Sequence, residues 1–145
     1  VQLKRPNDTQ DQNIRNNRLV TRIPIPMIFP NDFTLQLKTN DIDRARENSF
    51  TIIDSHGHVL YSDDNFSDSK DYNYDINLKN GDYQFLFKDL MEDGISLHWW
   101  NRNSPEKVGI NGEIIFSDAN GDTLHEFDPD FGQEIRFNFH IGPLP

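Results

Sequence analysis

The run "EIRFNFHI", residues 134–141, alternates without a break: Ile135, Phe137, Phe139 and Ile141 fall on one face, Glu134, Arg136, Asn138 and His140 on the other. Successive side chains of a strand point to opposite faces, so such a run suits a strand with one face buried and one in water. The same period returns at Phe33, Leu35 and Leu37, at Phe50 and Ile52, and from Val59 to Tyr61. It continues at Tyr72, Tyr74, Ile76 and Leu78, at Tyr83, Phe85 and Phe87, at Ile114 and Phe116, and from Leu124 to Phe127. Asn, Asp and Gly cluster between the runs, where they supply turn conformations. "DSHGH" turns the chain toward Val59, and "KNG" and "DANGD" are expected to be hairpin turns. Asn-Gly at 80–81 and 120–121 suits the positive φ angles of type I′ turns. No helical period is present, and "DIDRARE" at 41–47 has room for a single turn at most. Eight or nine short strands without βαβ spacing predict an all-β, two-sheet antiparallel β-sandwich, jelly-roll-like in type. The 11 Phe and 4 Tyr are then the filling between the sheets.

At 145 residues the chain is long enough for one hydrophobic core. Residues 1–18 are polar and aperiodic and read as an arm or linker, which leaves 19–145 as a single β-sandwich domain. Leu19 to Pro30, "LVTRIPIPMIFP", is apolar but holds three prolines, so it suits an edge strand or extended strap rather than a central strand. Asp and Glu outnumber Lys and Arg by 24 to 14, giving a net charge of −10. With basic residues scattered, this argues against nucleic acid, whose phosphates need clustered cations, and against anionic membranes. No apolar run approaches the roughly 20 residues that span a bilayer. The absence of cysteine removes disulfides, thiolate metal sites and cysteine nucleophiles. It accords with a cytosolic protein and also with the many cysteine-poor proteins that bacteria export.

Three stretches carry a family resemblance. "LQLKTNDIDRARENSFTIIDSHGHVLYS" looks like a strand, a "TDN"-like loop and a strand ending in D-S-x-G-x-V. "LKNGDYQFLFKDLMEDGI" is similar to L-x-x-G-x-Y-x-F-x-x-x-D-x-x-x-D-G followed by an apolar residue. "GEIIFSDANGDTLHEFDPDFGQEIRFNF" resembles a pattern of G-x-x-x-x-x-D-x-x-G-x-x-L, then D-F-G and F-x-F. Together, over roughly residues 33–139, they resemble the β-sandwich accessory modules of secreted or cell-surface bacterial proteins, often placed C-terminal to extracellular metalloproteases. The resemblance implies a sandwich fold, a non-catalytic role and an extracellular setting. Two departures stand out: Asp82 occupies a position where members often carry Cys, and "TNDIDRAREN" replaces the "TDN" loop.

The candidate chemistry lies in the loops. Asp89, Glu92 and Asp93 put three carboxylates within five residues, with Gly94 allowing a tight turn. Calcium takes six to eight oxygen ligands, so this loop could hold one; equally, its acids could accept the loop's own N–H groups and fix the turn. Asp128, Asp130 and Glu134 offer a second acidic group. "DANGDTLHE" places Asp118, Asn120 and Asp122 like the start of a calcium loop, but the glycine falls one position early and the twelfth residue is Pro129, so a hairpin is expected there. His56 and His58, two apart, could face the same way and bind zinc, although no third ligand is evident beside them. Trp99 and Trp100 must point to opposite faces if they lie in a strand. One exposed ring, beside Asn101 and Arg102, could stack on a sugar or anchor a protein. No H-E-x-x-H, G-x-S-x-G or phosphate loop is present, which weighs against an enzyme. The functional expectation is therefore a non-catalytic extracellular module that binds a protein or glycan surface or packs on a partner catalytic domain, with structural calcium as its expected cofactor, if any. The alternative is an inhibitor that lays "TRIPIPMIFP" across the cleft of a secreted protease.

Overall fold

The alternating runs become strands. The computed structural model describes residues 25–96 and 110–143. Among them are β1 Met27–Phe29, β2 Asp32–Lys38, β3 Asn48–Asp54, β4 Val59–Asp63 and β5 Asp71–Asn77. They are followed by β6 Gly81–Asp89, β7 Glu113–Ser117, β8 Thr123–Glu126 and β9 Glu134–Ile141. They build a β-sandwich of a five-stranded sheet, order β1-β9-β6-β3-β4, and a four-stranded sheet, order β5-β2-β7-β8. The acidic stretch at 41–47 makes only a one-turn 3-10 helix, Ala45–Glu47.

The period-2 pattern predicts the core directly. Phe33, Leu35 and Leu37 of β2 are buried, as are Phe50 and Ile52 of β3, Phe85 and Phe87 of β6, and Phe139 and Ile141 of β9. Phe116 of β7 sits at the centre of an aromatic cluster that joins the two sheets. Its ring lies 5.0 Å from Phe85 and 5.4 Å from both Phe29 and Phe33, all edge-on. Edge-to-face pairs at this spacing add stabilisation beyond the area they bury.

The antiparallel sandwich expected from the sequence is present, with one parallel edge, and one expected turn needs correction. The sheets are antiparallel except at one edge, where β1 runs parallel to β9 with Met27 opposite Phe139 and Phe29 opposite Ile141. The reason is local. Pro30 and Asn31 take the chain from the five-stranded sheet into β2 of the other sheet, so β1 caps an edge instead of entering a hairpin. Asn31 clamps that corner: its carbonyl accepts the Leu78 N–H at 2.9 Å and its Nδ2 donates to the Leu78 carbonyl at 2.8 Å. The correction concerns Asn-Gly. Residues 78–80 link β5 and β6, which belong to different sheets, so Asn80-Gly81 is a crossover and not a hairpin turn.

The β7–β8 hairpin does form, but by another turn. Gly121 alone has positive φ there, at 86°, and its N–H donates to the Asp118 carbonyl at 3.0 Å. Asp118 Oδ1 accepts the N–H groups of Asn120 and Asp122 at 2.8 and 2.9 Å. The β3–β4 hairpin repeats this design. Asp54 Oδ1 accepts the N–H groups of His56 and His58 at 2.8 and 2.9 Å, and Gly57, at φ 83°, donates to the Asp54 carbonyl at 3.0 Å. Each turn is thus held by an aspartate that mimics a backbone acceptor and a glycine in the left-handed region.

Candidate functional site

The acidic loop after β6 lies at one end of the sandwich. Asp89 ends β6 opposite Asn48, the first residue of β3. It is buried, and its carboxylate accepts three backbone N–H groups: Met91 at 3.1 Å, Asp93 at 2.8 Å and Gly94 at 2.7 Å. Burial pushes the Asp89 carboxyl above the ordinary carboxylate range, while those three donors pull it back. Asp93 forms a half-buried ion pair with Arg44 through Nη1 and Oδ2.

The third member of this group is Glu47, not Glu92. The β3–β6 pairing carries Glu47 to the loop, where its carbonyl accepts the Leu90 N–H at 3.0 Å. Carboxylate oxygens of Glu47, Asp89 and Asp93 lie within 4.8 Å of one another. Glu92 sits on left-handed backbone at φ 64° and turns outward, its Oε1 accepting from Gln133 Nε2 at 3.1 Å. Burial first, then the neighbouring charges of Asp89 and Asp93, raise Glu47 from 4.5 to about 7. Its Oε1 is buried without a hydrogen-bond partner among the described residues. Most of the loop's charge is therefore answered by N–H groups and a guanidinium, and Glu47 is the carboxylate that an added proton or cation would relieve. Sequence reasoning missed Glu47 and Arg44 because they lie more than 40 residues from Asp89 and meet it only through strand register.

The other acidic candidates separate. The loop at 128–133 does pack on the Asp89 loop, with Ile95 N–H donating to the Pro129 carbonyl and Asp89 N–H to the Gln133 carbonyl, both at 2.9 Å. Yet Asp128 accepts the Asp130 N–H at 3.0 Å in a local turn, and Glu134 pairs with Arg136 at 2.5 Å. Neither carboxylate joins the Glu47 cluster. Trp99, Trp100, Asn101 and Arg102 lie outside the described residues, as does the arm at 1–18.

His56 and His58 do gain a third partner, which is Asp54. Asp54 Oδ2 accepts from His58 Nδ1 at 2.9 Å and lies 4.0 Å from His56 Nδ1. The His58 N–H and ring together hold the Asp54 carboxyl down at about 2, so it is ionised throughout the neutral range. Asp54 was not among the expected ligands: "DSHGH" places it two residues before His56, but only the fold shows that the aspartate bends back over its own turn. Asp54, Ser55, His56 and Gly57 also border a trough of about 640 Å³, with Pro26 beside β1 and Gln84 and Asn138 on neighbouring strands. Asp82 faces His140 across β6 and β9 and accepts from its Nδ1 at 2.8 Å. That bond raises the imidazole pKa of His140.

Fold and loops together define a two-sheet β-sandwich whose ends are shaped by aspartate-held turns. No family model matches the chain, and neither a curated protein nor a solved structure does. No helix among the described residues is long and apolar enough to cross a membrane.

Proposed function

We propose that this chain is a non-catalytic recognition module of an exported bacterial protein, and that it engages a partner protein at the β1 edge of its five-stranded sheet. The observation that carries the reading is the composition of that edge. Ile25, Met27 and Ile28 are exposed by 77%, 41% and 52% on a chain of net charge −10. Exposed apolar side chains on a strand that is outermost among the described residues mark an interaction surface, because water contact there costs free energy that a partner removes. The outer side of β1, which pairs with no strand among the described residues, also offers backbone N–H and C=O groups for strand addition. The resemblance to accessory modules supports the extracellular setting and the absence of catalysis.

The inhibitor reading uses the same segment differently, by placing residues 21–30 in a protease cleft. Engagement of Met27–Phe29 with β9 favours the module, since those residues are already committed to a ladder.

The test is hydrogen exchange of the chain with and without each of a set of extracellular metallo-, serine and cysteine proteases and soluble polysaccharides. Added protection over residues 25–30 and in β9, lost in Met27→Glu/Ile28→Glu, is the expected result. Protection confined to residues 97–110, or turnover of any of these polysaccharides, overturns the assignment of the edge. Protease inhibition that leaves β9 exchanging freely points to the inhibitor.

A further inference from the structure

We propose that the β3–β4 turn is a transition-metal site, in which Asp54, His56 and His58 bind one zinc-class divalent ion. The proposal is independent of the partner surface at β1. Two imidazoles and a carboxylate are the donors that suit zinc, nickel or copper, whereas calcium and magnesium take oxygen donors. One ligand atom from each residue lies within 4.8 Å of the others. Zinc bonds of about 2.0–2.1 Å in a tetrahedron need donor atoms about 3.3 Å apart. The distances from Asp54 Oδ2, 2.9 Å to His58 Nδ1 and 4.0 Å to His56 Nδ1, lie on either side of that separation. The two rings lie 23° apart with centroids at 5.9 Å, and a donor atom of each stands within 4.8 Å of the other and of the Asp54 carboxylate.

The carboxylate is prepared for the task. Oδ1 is held by the N–H groups of His56 and His58, which leaves Oδ2 directed at the rings as a single, fixed ligand. Backbone bonds that orient a metal-binding carboxylate are a recurring feature of built sites. Binding through Nδ1 displaces the proton that His58 shares with Asp54: a neutral imidazole takes one up at Nε2 and binds as that tautomer, whereas an imidazolium gives its Nδ1 proton to solvent.

The fold does not require the histidines. The β7–β8 turn has the same aspartate, glycine and hydrogen bonds with Asn120 and Asp122 at the corresponding places. Nor do the imidazoles pack: their side chains are 78% and 73% exposed. Three protein ligands leave one coordination position open. Asp54 and His56 also border the trough beside β1, so a donor lying in that trough has access to the ion.

The experiment is isothermal titration of the tag-free chain with Zn2+ at neutral pH, paired with ring NMR spectra of all five histidines and the absorption spectrum of the Co2+ form. The expected result is one equivalent bound, with His56 and His58 resonances shifting ahead of the others. Affinity falls at least tenfold in His56→Ala, in His58→Ala and in Asp54→Asn. The asparagine keeps an acceptor for the turn, so thermal unfolding without metal checks that each variant is folded. Binding unchanged by these three substitutions, or ring shifts confined to His98, His125 or His140, overturns the site. Equal heats from Ca2+ and Zn2+ overturn the assignment of its chemistry.

Discussion

Glu47→Gln isolates the cost of gathering three carboxylates at the end of the sandwich. Folding raises the Glu47 pKa from 4.5 to about 7, mainly through burial and then through Asp89 and Asp93. The folded protein therefore holds a proton between those values that the unfolded chain has released. Stability from this group is fully present below pH 4.5, falls as pH rises and is lost above about 7. At about 1.4 kcal/mol per tenfold change in proton affinity, the ceiling is roughly 3 kcal/mol. Glu47 is only half-buried, and solvent screening reduces this to about 1 kcal/mol. Glutamine keeps the shape and cannot ionise. Urea unfolding from pH 5 to 8 should show wild type and variant nearly alike at pH 5 and the variant about 1 kcal/mol more stable at pH 8, where its thermal midpoint should lie about 3–5 °C higher. A difference that stays constant over this range would refute the argument, because it would mean that Glu47 does not titrate with folding. Millimolar calcium provides a second arm. An ion held by Glu47, Asp89 and Asp93 at a hundred times its dissociation constant adds roughly 2.7 kcal/mol to wild type. It would reverse the order of the two proteins at pH 8, and no response to calcium leaves the cluster a proton-linked structural feature.

Three further outcomes follow from the packing. Asp89→Ala strips the acceptor from three N–H groups, including that of buried Gly94, and should cost about 2–4 kcal/mol in urea unfolding, with faster amide exchange at Met91, Asp93 and Gly94. Phe116→Ala removes the ring that Phe29, Phe33 and Phe85 pack against and should cost about 3–5 kcal/mol by the same measure. Asp82→Asn removes the charge that favours protonated His140, so an NMR titration should place its pKa below that of wild type; an unchanged value would mean that the Asp82–His140 bond does not form in solution.

Alternation in the chain marked most of the inward face, apart from β4, where Val59 and Leu60 stay exposed, and His140, which is buried. Alternation leaves a strand one way to hide its apolar side, so Phe33, Phe85 and Phe139 could be placed in a sandwich core before any pairing was known. Turn chemistry was half legible. Asp and Gly announced the turns at 54–58 and 118–122, but Asn-Gly did not reveal that 80–81 crosses between sheets, because the same backbone freedom serves either purpose. Strand order and register were decided only by tertiary structure, since edge choice depends on how two sheets close over one core. That decision set β1 parallel to β9 and brought Glu47 and Arg44 to the Asp89 loop while Glu92 turned away. It is also why the cluster of Glu47, Asp89 and Asp93 stayed hidden, whereas His56 and His58, two residues apart on a single local turn, could be singled out from their spacing, with Asp54 added only by the fold.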